Sequence, residues 1–263
     1  MERRLIGRGL LAGVVGAVVA FVFARVFAEP VIGRAIEFED GRTDVAQAHG
    51  VHEHGIELFT RGVQASVGLG FGVLVFGVAM GALLAVLFCV VYGRTGDVGP
   101  RPLSALLAAG AFAAVYLVPF VKYPPNPPAV GQADTIGART GWYLLMVLTS
   151  VVLAVATVWL ARRLAALLGA WNAGLLAAGA YVVAIAVVTT LLPTVDETPE
   201  PMHDASGAII YPGFPADVLY DFRLVSLGTQ LVLWVTIGLV FATLADRLLG
   251  ERAESRRAAS IAA

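Results

Sequence analysis

Long apolar stretches alternate with short polar ones along this chain. Six are long enough to cross a bilayer as helices: residues 5–28, 64–92, 103–121, 143–161, 172–192 and 225–245. A transmembrane helix needs about 20 apolar residues, and in lipid only a helix or a closed barrel satisfies its own backbone polar groups. The pattern therefore predicts an all-α, polytopic membrane protein. Residues 1–250 form one transmembrane helical domain and residues 251–263 a flexible tail. The first run is longer than a secretory signal core, and Gly9 and Gly13 give it a small-residue packing face, so it reads as a retained span. The fourth and fifth runs are almost purely apolar and read as structural walls.

Composition agrees: 58% of the 263 residues are hydrophobic and 14% charged, far from a soluble profile. The formal net charge of -1 conceals a strong asymmetry. With a cytoplasmic amino terminus, inside segments carry eleven basic and five acidic residues, and outside segments seven basic and fourteen acidic. By the positive-inside rule both termini are cytoplasmic and the acidic loops face out. The outer face also holds all four histidines, a surface suited to attracting cations.

The polar stretches between the runs are distinctive. Residues 29–47 predict a short amphipathic helix outside the membrane, with Val31, Ile32, Ala35 and Ile36 on one side and Glu37, Glu39 and Asp40 near its end. Next comes A-H-G-V-H-E-H-G, placing His49, His52, Glu53 and His54 within six residues. The following helix is predicted from near Glu53 to about Tyr92. On it Glu57, Arg61 and Gln64 recur at helical spacing above Gly68 and Gly72, a polar stripe running towards the bilayer. Gly68/Gly72 and Gly77/Gly81 form small-xxx-small pairs. The third run ends in Y-L-V-P-F-V-K-Y-P-P-N-P-P, a stiff proline exit. The last outer loop carries Met202-His203-Asp204, then Y-P-G-F-P-A-D-V-L-Y-D-F-R leading into the final run.

Imidazole with carboxylate suits borderline divalent metals such as cobalt, nickel and zinc. The candidate capture site is His49, His52, Glu53 and His54, closed by His203 or Asp204; the alternative is a set of solvated loop residues at a helix start. The candidate path is Glu57, Arg61 and Gln64, with Gln230 in the last run, although Glu57 and Arg61 also make an ordinary i,i+4 pair. Lys122, Tyr123, Asn126, Tyr211, Asp217 and Asp221 are candidate entrance or lid residues. H-E-x-x-H and the phosphate-binding G-x-x-x-x-G-K-[ST] are absent, and Ser66 lacks a nucleophile elbow, so no catalytic role is expected. No cofactor or nucleic acid is expected either. The single cysteine, Cys89, lies within an apolar run and reads as packing.

A-H-x-x-H-E-H-G running into a glycine-rich span, K-Y-P-P-N-P-P at residues 122–128, and Y-P-G-F-P-A-D-V-L-Y-D-F-R at residues 211–223 together resemble the CbtA family of predicted cobalt transporter subunits. The resemblance covers essentially the whole chain. It implies a bacterial inner-membrane protein taking up Co2+ for cobalamin synthesis, with a small single-span CbtB subunit as partner. It places the family's histidine motif on His49, His52 and His54 and its proline motif on Pro124, Pro125, Pro127 and Pro128. The family is commonly given five spans; six runs stand here. A metal-binding accessory or sensing subunit, without a transport path of its own, is the competing reading.

Overall fold

In a computed structural model of the chain, the described residues are 2–50, 68–94, 96, 98–132 and 134–261, with 252–261 as backbone alone. They form helices α1 (Glu2–Phe27), α2 (Glu29–Ala48), α3 (Leu69–Val91), α4 (Pro100–Phe112), α5 (Val118–Lys122), α6 (Ile136–Leu191) and α7 (Ala216–Ile261). A π-helical segment (Ala113–Leu117) joins α4 to α5, and a short antiparallel hairpin pairs β1 (Met202–His203) with β2 (Ile209–Tyr211). The all-helical expectation holds, with that hairpin as the only strand pair among the described residues.

Among the described residues, five helices are long and apolar enough to cross a membrane, against six apolar runs in the sequence. The difference lies in α6, where the fourth and fifth apolar runs are one helix of 56 residues. Straight, it would extend about 84 Å, nearly three hydrocarbon thicknesses. It is not straight: Gly169 sits at φ 76, ψ 157, outside the helical region. The Ser150 and Tyr181 hydroxyls are hydrogen-bonded at 2.8 Å, although an unbroken helix would hold residues 31 apart about 46 Å from one another. The chain therefore folds back between them. The break falls between the two runs read from the sequence, 143–161 and 172–192, where a single positive-φ glycine suffices to end the helix. The helix expected to begin near Glu53 is described from Leu69; residues 51–67, where its start was expected, lie outside the described residues.

The residues divide into two contact units. The first comprises 1–30, 55–112 and 225–263 and contains α1, α3, α4 and most of α7. Its centre is a backbone-to-backbone approach of α1 and α3. The stripe Gly9, Ala12, Gly13, Gly16, Ala17 and Ala20 is the buried face of α1, and Gly77 and Gly81 are buried on α3. A Cβ added to Gly77 would stand 2.8 Å from Ala17 Cβ and 2.9 Å from the Gly13 carbonyl oxygen. Gly9 faces Gly81 just as tightly. Larger residues fill the space beside this contact: Leu84, Phe88, Leu233, Ile237 and Phe241 are all at most 2% exposed, and the Phe88 and Phe241 rings meet edge to face at 5.4 Å. The opposite faces are apolar and exposed, with Val18 at 54% and Leu106 at 65%, as a lipid-facing surface requires.

The second unit comprises 31–54 and 113–224. Here α2 is amphipathic as expected, burying Val31, Ala35 and Phe38. Phe38 packs against Tyr211 (centroids 5.3 Å) and Phe214 (4.9 Å), and the Tyr211 hydroxyl donates to the Phe38 carbonyl at 3.1 Å. Arg34 bridges Asp217 and Asp221 at 3.3 and 2.6 Å, and Arg42 donates to the Glu200 carbonyl at 2.8 Å. The last polar loop thus clamps α2 along its length.

Gly77→Leu is expected to lower the thermal stability of the purified protein by about 2 kcal/mol or more, since helix backbones must separate to admit the side chain. Gly72→Leu, where nothing lies within 4 Å of an added Cβ, should be tolerated. Melting temperatures in detergent check this pair.

Candidate functional site

The described cavity with the most convergent polar groups lies in the second unit, with a volume of about 420 Å³. Local sequence builds it. Pro119 cannot donate to the helix and its ring crowds the turn before it. The backbone upstream widens into the π segment Ala113–Leu117, which delivers Tyr116 to the cavity wall. Pro124 and Pro125 then hold the chain extended, and Ala129 adopts φ 68, a left-handed conformation unusual for a residue with a Cβ. The first turns of α6 contribute Arg139, Thr140 and Tyr143; Val195 and Arg223 complete the lining.

The lining carries three cations, Lys122, Arg139 and Arg223, and no Asp or Glu. Arg223 Nη2 donates to Asn126 Oδ1 at 3.1 Å. Arg139 Nη1 reaches Glu197 Oε2 at 3.3 Å, and the same oxygen accepts from the Gln132 backbone N–H at 2.9 Å. The Glu197 carboxylate is held below the usual glutamate range by the Thr135 hydroxyl, the Gln132 amide and the field of Arg139. Asp196 is likewise lowered, by the Thr198 backbone N–H and hydroxyl, with a contribution from the Arg223 charge. Both guanidinium Nε atoms are buried and without a hydrogen-bond partner among the described residues. Tyr123 donates its hydroxyl to the Pro193 carbonyl at 2.8 Å, and burial raises its phenol. A second cavity of about 400 Å³, lined by Glu39, Arg42, Pro127, Pro128 and Pro199, also includes Arg139.

The expected site residues distribute unevenly. Lys122, Tyr123 and Asn126 share one wall of the first cavity. Tyr211, Asp217 and Asp221 instead meet α2 through Phe38 and Arg34. His49 ends α2, exposed, with Nδ1 2.8 Å from the Val45 carbonyl oxygen. His52, Glu53, His54, Glu57, Arg61 and Gln64 lie outside the described residues. His203 is exposed on β1, and Asp204 Oδ1 accepts from the Ser206 amide and hydroxyl and the Ala208 amide. These bonds hold the Asp204 carboxyl low, the Ser206 hydroxyl contributing most. Gln230 Oε1 is buried without a partner among the described residues. Among those residues no three His, Cys, Asp or Glu side chains group to hold a metal. The sequence reading passed over Arg139, Glu197 and Arg223; arginines flanking spans read as topology anchors, and only the fold brings these two together.

A family model described as "Probable cobalt transporter subunit (CbtA)" matches residues 2–246. The chain belongs to the CbtA family. Comparison with curated proteins and with solved structures returned no match. As a CbtA-family chain it is a metal-transporter subunit, and the word subunit implies further components.

Glu197 ties the proline loop to α6, and its lowered carboxyl makes that tie depend on pH. A depressed folded value stabilises above the unfolded value and is lost as pH falls through the folded one. Glu197→Gln should melt a few degrees below the parent chain at neutral pH. That gap should narrow below about pH 4, checked by thermal unfolding across a pH series.

Proposed function

We propose that this chain is the membrane subunit that captures a divalent transition metal, Co2+ foremost, outside the cell and passes it between its helices. Capture falls to His49, His52, Glu53 and His54, with His203 and Asp204 from the last outer loop. Glu57, Arg61, Gln64 and Gln230 line the onward route. The supporting observation is the state of His49. A ring nitrogen facing a carbonyl must be the donor, so the 2.8 Å contact of Nδ1 with Val45 turns Nε2 to the other side, the nitrogen available to a metal. A backbone carbonyl orienting the far nitrogen is how proteins commonly prepare histidine to bind metal. His49 stands at the exposed end of a helix that also carries Glu37, Glu39, Asp40 and Asp44.

The proposed topology has six crossings, α6 supplying two on either side of Gly169. Both termini are cytoplasmic, the membrane is the bacterial inner membrane, and the imported metal serves cobalamin synthesis. A small single-span CbtB-like protein is the proposed partner. The accessory reading, metal binding without a path, draws support from the α1–α3 contact, where glycine faces glycine and no wettable seam separates the helices.

Radiolabelled cobalt uptake in cells lacking other importers tests the capture site. Changing His49, His52 and His54 together to Ala should reduce uptake about tenfold or more at limiting metal; unchanged uptake removes the capture role. Cobalt influx into liposomes containing this chain alone decides between conduit and accessory.

A further inference from the structure

We propose that the 420 Å³ cavity is a binding site for an organic oxyanion, a carboxylate or phosphate on an apolar or aromatic body, gripped by Arg139 and Arg223. The proposal does not rest on the metal reading. Three cations and no carboxylate on the lining suit an anion better than a divalent cation. Guanidinium groups match the planar oxygens of carboxylate and phosphate, and such charge-assisted bonds are about twice as strong as neutral ones.

Arg139 gives one nitrogen to Glu197 and Arg223 one to Asn126. A guanidinium carries five N–H donors, so each arginine keeps donors beyond those contacts, and Lys122 adds a third cation to the same lining. Tyr116, Phe120 and Tyr143 line the same cavity with aromatic surface, which suits an organic body attached to the charged head. The volume falls within the roughly 300–1,000 Å³ of small-molecule sites.

Two sources carry this chemistry, a free solute and an anionic lipid headgroup, because the cavity lies where α5, α6 and α7 meet their polar loops. The full chain, purified in neutral detergent, is titrated calorimetrically with citrate and with phenyl phosphate. In parallel it is reconstituted in nanodiscs mixing phosphatidylglycerol and phosphatidylcholine, and the retained lipid is read by native mass spectrometry. At least one anion is expected to bind, and Arg139→Gln and Arg223→Gln are each expected to weaken it about tenfold or more. Arg223→Lys should recover part of the loss, and Arg101→Gln, which removes a cation paired with Asp246 in the other unit, should change nothing. Solute binding names a free anion as the source; arginine-dependent retention of phosphatidylglycerol alone names the lipid. If an arginine variant does not fold, Lys122→Gln carries the same comparison with a smaller expected loss. Cobalt chloride alone should not compete, which keeps this result separate from the histidine experiment. The proposal is overturned if neither solute binds and phosphatidylglycerol is not preferred, or if all variants bind alike.

Discussion

The close approach of α1 and α3 is the constraint on which the first unit rests. Lipid is as apolar as a leucine side chain, so no hydrophobic drive pushes transmembrane helices together. Association must come from dispersion contacts, which grow as backbones approach. Gly9 and Gly13 on one helix and Gly81 and Gly77 on the other set backbone against backbone, with the Ala17 and Ala85 methyls beside them. Around that seam Leu84, Phe88, Ile237 and Phe241 supply volume. A small-residue stripe with bulky residues beside it gives close packing where water cannot enforce it.

In the second unit polar chemistry does the corresponding work. Its loops are rich in proline, which withholds backbone donors and fixes extended geometry, so side chains must tie the segments together. Arg34 joins α2 to the start of α7, Tyr211 caps the Phe38 carbonyl, and Glu197 joins the proline loop to α6. Acids and arginines of the unit thus meet in pairs, and two of the arginines, Arg139 and Arg223, also line a cavity whose lining includes no acid.

Much of this was legible beforehand because its cause is local. Hydrophobic run length dictated the spans, and i,i+4 glycine spacing marked Gly9, Gly13, Gly77 and Gly81 as contact surface before any partner was visible. The amphipathic period of residues 29–47 yielded α2. The separation of the fourth and fifth runs was legible too, but the exact breaking residue was not, since Gly169 gives no stronger signal than Gly174 or Gly179. Nor was the role of Asp217 and Asp221, whose partner Arg34 is more than 180 positions away.

By itself the sequence determined that this chain is helical, membrane-spanning and charge-asymmetric, and that it carries a histidine-acid segment beside its second span. Each follows from composition or short-range periodicity, which need no knowledge of what lies opposite. Tertiary structure alone decided which helices touch and that Arg139 and Arg223, 84 positions apart, share one cavity. Convergence of distant side chains depends on how the chain folds back, and no local pattern encodes it.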